Sequence, residues 1–116
     1  MSIAYVLVTV VTIVANAGVA IADLSKASFV LRNSTELDLP AWSVLPLGLL
    51  KAAGAAGLML GLIGLRPLGI AAATGLVLFF VGAVAIHIRK RVFHNIAAPT
   101  AFLLLAVGSL ATATWH

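Results

Sequence analysis

The chain has 116 residues, of which 63% are hydrophobic and only 9% are charged. A soluble domain is about 45–50% apolar and about 25% charged, so this composition excludes an ordinary soluble globular protein, a disordered chain and a nucleic-acid-binding protein. The absence of cysteine also excludes a disulfide framework, a thiolate metal site and a cysteine nucleophile.

Four apolar runs follow one another along the chain, and each matches the roughly 20 residues that a membrane helix needs. The first, 3–22, has no charge and no basic residue before it, so we interpret it as a membrane span and not as a secretory signal. The polar stretch 23–46 predicts a longer loop with a short interfacial helix near 24–31. Further spans are expected at 47–65, 68–88 and 96–114. The predicted fold class is an all-α membrane protein, a single four-transmembrane-helix bundle over 1–116.

The distribution of basic residues predicts the orientation of this bundle. The first and third connections carry Lys26, Arg32, Arg89, Lys90 and Arg91. The opposite side carries only Arg66. Because lysine and arginine are enriched in cytoplasmic loops, we expect the first and third connections in the cytoplasm, both termini outside, and the chain integral to the inner membrane of the cell.

Polar residues follow one stripe along the first span. They are Tyr5, Thr9, Thr12, Asn16 and Asp23, spaced 4, 3, 4 and 7 residues apart. This spacing places them on one helix face, and in hydrocarbon such a face should turn toward other helices or a wet cavity. Two interpretations stay open: hydrogen bonds that hold helices together, or contacts to a substrate, which Asn16 would orient.

A row of small residues marks the second span. Its members are Gly54, Gly57, Gly61 and Gly64. Such seams let two helices approach closely, within one chain or across a homodimer. Lys51 lies three residues before this row and shares its face, so we expect Lys51 inside the bundle.

Lys51 therefore needs either a partner or a route to water. The candidate partners are Asp23, Glu36 and Asp38, and the alternative is that the lysine snorkels to lipid phosphates. In the predicted topology Asp23 ends span one, Lys51 begins span two and His87 ends span three, all on the cytoplasmic side. An acid, a cation and a histidine, which titrates near neutral pH, would thus meet at the edge of an apolar chamber.

Such a set can move a proton or polarise a lipophilic substrate. We therefore predict Asp23, Lys51 and His87 as catalytic residues. The predicted substrate-binding residues are Asn16, Tyr5, Trp42, Glu36 and Asp38. The three histidines are scattered and no HExxH-type set is present, so no metal is expected. No cofactor is required by the sequence, although the same groups could hold a quinone by hydrogen bonds.

Three stretches resemble a known family. Residues 47–61, rich in glycine and alanine around Lys51, resemble the second span of the DoxX-like family of small bacterial membrane proteins. Residues 67–83, followed by His87 and Arg89, resemble its third span, and 22–26 resemble the end of its first. The resemblance implies a four-helix membrane bundle. It also implies a membrane redox partner, since the family is named after a subunit of a thiosulfate:quinone oxidoreductase, and its core is similar to that of membrane sterol isomerases.

Three functions are compatible with these features. The first is an enzyme or enzyme subunit that acts on a lipophilic small molecule, such as an isoprenoid, a sterol-like compound or a quinone. The second is a non-catalytic membrane subunit of a quinone-linked oxidoreductase complex. The third is a small exporter, which the chain matches in size, although exporters of that kind use a carboxylate inside span one whereas Asp23 lies at its end.

Overall fold

The computed structural model describes residues 2–115, without the side chain of Ala41, and within them the chain is all-helical. The helices are α1 (Ile3–Leu24), α2 (Ser28–Glu36), α3 (Val44–Leu62), α4 (Arg66–Arg89) and α5 (Ala97–Thr114), with a single 3₁₀ turn at Ala41–Ser43 before α3. All except α2 are long and apolar enough to cross a membrane. The predicted fold class is therefore confirmed, including a short helix between the first two spans.

Two helices begin earlier than the predicted spans, because each has a proline in its first turn. Helix α3 begins at Val44 and not at 47, because Pro46 lies in its first turn, where a missing N–H costs no helical hydrogen bond. Helix α4 likewise begins at Arg66 and has Pro67 in its first turn. The tight connection thus precedes Arg66, and Gly64 adopts a φ of +121° there, which glycine alone adopts readily.

The short helix between the first two spans also lies later than expected. It occupies Ser28–Glu36 and not 24–31, because α1 continues to Leu24 and the chain turns at Lys26, whose φ is 55°. Ser34 of α2 and Leu37, the residue that follows the helix, are buried.

The four long helices form a ring in which each packs against the next along the chain and α5 closes against α1. The apolar core between them is formed by Leu58, Ala73, Leu76, Phe80 and Ala106. The connections 25–43 and 90–96 lie together at one end, which we call the loop end. The connection 63–65 lies at the other, the turn end.

The small-residue seam of α3 packs against α4 of the same chain. A Cβ added at Gly61 would lie 2.7 Å from the Cα of Gly69, and one at Gly57 would lie 2.6 Å from the Cβ of Ala72. Helices α3 and α4 therefore meet there with backbone almost against backbone. Gly64 lies beyond the end of α3 and does not belong to the seam. The Gly57 and Gly61 face considered for a homodimer is covered by α4 of the same chain.

Candidate functional site

A buried ion pair joins α1 to α3 at the loop end. The Nζ of Lys51 donates to the Oδ2 of Asp23 at 2.9 Å, and the two side chains are only 13% and 4% exposed. Gly48 permits this contact, since a Cβ there would lie 2.6 Å from the Cβ of Asp23. Lys51 also lies 5.3 Å from the centroid of the Phe79 ring. The lysine therefore turns into the bundle, with Asp23 as its partner, and does not snorkel.

His87 presents a hydrogen-bond acceptor near this pair. Its buried ring contacts the carbonyl of Ala83 through Nδ1 at 2.7 Å. Because a carbonyl oxygen can only accept, Nδ1 carries the hydrogen, and the Nε2 of the neutral ring holds a lone pair. Among residues 2–115 no group forms a hydrogen bond with that Nε2. A ligand hydroxyl could therefore donate to it.

Asp23, Lys51 and His87 line one cavity of about 770 Å³, which we call the chamber. Ligand pockets usually measure about 300–1,000 Å³ and are mostly apolar. The chamber fits this description, because its walls include the aromatic rings of Phe29, Phe79, Phe80 and Phe102. The three polar groups thus face a space large enough for a small organic molecule.

The chamber extends well into the membrane-spanning part of the bundle. Leu78 and Gly82 of α4 line it and are themselves exposed on the outside of the helix ring. Leu78 precedes Arg89, the last residue of α4, by eleven residues, which corresponds to about 16 Å at 1.5 Å per residue. Part of the rim therefore faces lipid.

Helix α2 covers the chamber at the loop end and is tied to the α4–α5 connection. The Nδ2 of Asn95 donates to the Oδ1 of Asn33 at 2.7 Å. The Nε2 of His94 lies 2.9 Å from the Oε2 of Glu36. All four of these residues line the chamber. Because two polar contacts join the same pair of connections, α2 closes the chamber on its aqueous side.

Four of the eight predicted site residues meet in the chamber, namely Asp23, Lys51, His87 and Glu36. Asp38 and Trp42, expected beside them, lie at the surface. Asp38 binds the exposed Lys90 at 3.2 Å, and Trp42 is 74% exposed on the 3₁₀ turn. Both residues follow α2, which covers the chamber, and their role in substrate binding stays a prediction.

Asn16 and Tyr5 lie on the predicted buried face of α1 but outside the chamber. The whole polar stripe of α1 is buried, and Thr12 in it shares a 2.8 Å hydrogen bond with Ser109 of α5. Asn16 donates to the carbonyl of Thr12 at 3.0 Å. Tyr5 precedes Asp23 by eighteen residues, or about 27 Å of helix. Residues on one helix face thus lie at different depths, and the role of Asn16 and Tyr5 in substrate binding stays a prediction.

Sequence reasoning did not single out Asn33, His94 or Phe79. For Asn33 and His94, the only indication in the sequence was that both connections at one end of the bundle contain polar residues. Phe79 gave no signal, because an aromatic residue in an apolar span is unremarkable until Lys51 is placed against it.

A model of the DoxX-like family matches residues 7–109, which is most of the chain. Searches among curated proteins and among solved structures found no significant match. The chain therefore belongs to the DoxX-like family, as the sequence resemblance indicated. With its four apolar helices it is an integral membrane protein.

Proposed function

We propose that this member of the DoxX-like family is a membrane enzyme or enzyme subunit that acts on a lipophilic small molecule held in the chamber. An isoprenoid, a sterol-like compound or a quinone belongs to the proposed substrate class. One observation carries the proposal: the buried Asp23–Lys51 pair and the unbonded Nε2 of His87 line the same largely apolar chamber.

The charges of the site favour a neutral ligand that carries an oxygen. Asp23 and Lys51 balance each other, so a charged ligand would meet no net counter-charge from the pair. A lysine ammonium has three N–H donors, of which one binds Asp23. The remaining donors can polarise a ligand carbonyl or hydroxyl, an effect that is strong where water is excluded.

The proposed chemistry assigns a separate role to each residue. Lys51 would stabilise negative charge on the ligand oxygen, and Asp23 would orient the ammonium. His87 would accept a proton through Nε2 and return it, as a general base and then a general acid. The proposed chemistry uses no cofactor.

We also propose that the chamber opens on the cytoplasmic leaflet of the inner membrane. Both connections of the loop end are basic, with Lys26 and Arg32 in one and Lys90 and Arg91 in the other. The turn end carries only Arg66, which directly follows the connection 63–65. This asymmetry follows the positive-inside rule.

A second candidate is a non-catalytic subunit of a quinone-linked oxidoreductase. The same donor on Lys51 and acceptor on His87 suit the carbonyl and the hydroxyl of a quinone and a quinol. In this case quinone would be the bound cofactor, and a membrane redox protein would be the partner. Turnover of a lipophilic substrate by the purified chain alone would favour the enzyme.

The first test is mass spectrometry of small molecules extracted from the protein after purification in mild detergent. We expect a specific lipophilic molecule with a hydroxyl or carbonyl group. Its amount should fall about ten- to hundred-fold in Lys51→Met, since a hydrogen bond to a charged group contributes about 1.5–3 kcal/mol. In His87→Phe it should fall about two- to ten-fold, since a neutral hydrogen bond contributes about 0.5–1.5 kcal/mol. Lys26→Met, at an exposed lysine outside the chamber, should retain it. Bulk phospholipid alone in every preparation would refute the proposal.

A matched pair of glycines tests the chamber itself. Gly82 and Gly75 are both exposed on α4, with nothing within 4 Å of an added Cβ, but only Gly82 lines the chamber. Gly82→Phe should therefore obstruct the ligand while leaving the fold intact, and Gly75→Phe should leave the ligand bound. The measurement is the ligand extracted per mole of protein. Equal retention by both variants would mean that the ligand lies elsewhere.

A further inference from the structure

Within residues 2–115, one basic side chain, that of Arg66, lies at the turn end. Arg66 begins α4, and its Nε donates to the carbonyl of Ala113 on α5 at 2.9 Å. Its guanidinium carbon lies 5.5 Å from the ring centroid of Tyr5 on α1. Arg66 therefore reaches inward over the end of the bundle, where three helices hold it, and does not extend outward into bulk lipid.

Among residues 2–115 no carboxylate contacts Arg66. The three acidic residues, Asp23, Glu36 and Asp38, all belong to the loop end and contact Lys51, His94 and Lys90 there. The Nη2 of Arg66 is buried and has no hydrogen-bond partner among residues 2–115. A guanidinium has five N–H donors, and a buried charge is costly unless it is paired. An anion would satisfy both this donor and the charge of the guanidinium.

A cavity of about 300 Å³ adjoins this cation and is lined by Tyr5, Gly61, Gly64 and Arg66. Its volume is roughly ten times the ~30 Å³ that a water molecule occupies in the liquid. Two of its four lining residues are glycines, and around Gly64 nothing lies within 4 Å of an added Cβ. A ligand in this cavity would thus meet one cation and one aromatic ring, with unfilled space beside Gly64.

We propose that this turn-end cavity binds a phosphate oxyanion through Arg66. The planar fork of a guanidinium matches the oxygens of a phosphate and binds them in a bidentate manner. Because Arg66 begins a membrane-spanning helix, the phosphate can come from a phospholipid headgroup at the membrane surface or from free phosphate in solution. The site lies at the end of the bundle opposite the chamber and does not depend on the function proposed for it.

Native mass spectrometry of the purified protein with added lipids tests the lipid source. We expect adducts with phosphatidylglycerol and none with diacylglycerol, which has the same chains but no phosphate. Arg66→Gln should reduce the adducts about ten-fold, the loss expected for one charged hydrogen bond. Arg89→Gln, at an exposed arginine of the loop end, should leave them unchanged. Arg66→Lys, which keeps the charge but loses the fork, should bind at an intermediate level.

The free-phosphate source is tested on the wild-type protein alone, so that it does not depend on whether a variant folds. Thermal unfolding is measured in inorganic phosphate and in chloride at equal ionic strength. A higher midpoint in phosphate supports a free oxyanion, and lipid adducts without such a shift support a headgroup. Equal adducts with phosphatidylglycerol and diacylglycerol, together with no shift in phosphate, would overturn the proposal.

Discussion

Replacing Lys51 by alanine is expected to lower the free energy of unfolding by about 3–5 kcal/mol, because it leaves a buried carboxylate without a counter-ion. The side chain of Asp23 is only 4% exposed, so its carboxylate is poorly solvated and depends on the ammonium. The measurement is unfolding in mixed micelles by a denaturing detergent. Lys90→Ala provides the control, since it breaks an ion pair whose side chains are 39% and 74% exposed and should cost at most about 1 kcal/mol.

The double variant Asp23→Asn, Lys51→Met separates the cost of an orphaned charge from the value of the pair. It removes both charges and keeps similar side-chain volumes, so it should be more stable than Lys51→Ala. Replacement of a buried ion pair by neutral groups is often close to neutral for stability. The double variant should nevertheless lose the chamber ligand. If Lys51→Ala unfolds as the control Lys90→Ala does, the pair is not buried as described.

Gly61→Ala is expected to cost about 1–3 kcal/mol, or more if the backbone cannot move, through overpacking of α3 against α4. The added Cβ would lie 2.7 Å from the Cα of Gly69, and a backbone atom cannot rotate away as a side chain can. Gly75→Ala is the matched control on α4, since an added Cβ there meets nothing within 4 Å. Unfolding in mixed micelles measures both variants, and equal stability would contradict the close approach of the two helices.

The same substitution should also affect the chamber. Helix α3 carries Lys51, and α4 carries Phe79 and His87, so a wider spacing between these helices moves the cation away from the ring and the histidine. We expect Gly61→Ala to release bound ligand although residue 61 does not line the chamber.

The sequence predicts well which polar side chains face the inside of the bundle, because the chain offers few candidates. The chain has only three acidic residues, and Lys51 shares its helix face with a glycine row, so the partner and the direction of the lysine follow almost directly. The polar stripe of α1 is equally clear, since its spacing repeats with the helix turn. All of its members are buried.

The sequence does not predict in the same way how deep a residue lies in the bundle or which residues of other helices it contacts. Helical periodicity specifies a face, but the distance between Tyr5 and Asp23 along α1 places them at opposite ends of the bundle. The contacts that Asn33 and Glu36 of α2 make with the α4–α5 connection depend on how two irregular connections fold over the bundle. Gly48 was missed for a related reason: its partner is a side chain of α1, which only the packed structure brings beside it.

The exposed position of Leu78 and Gly82 on the chamber rim affects how ligand binding should be measured. For a ligand that enters the chamber from among the acyl chains, the relevant concentration is the number of ligand molecules per lipid molecule and not per volume of buffer. Diluting a vesicle suspension with buffer would then leave occupancy almost unchanged, whereas fusing the vesicles with empty lipid would lower it. An apparent dissociation constant for this protein would accordingly be expressed as a mole fraction in the bilayer.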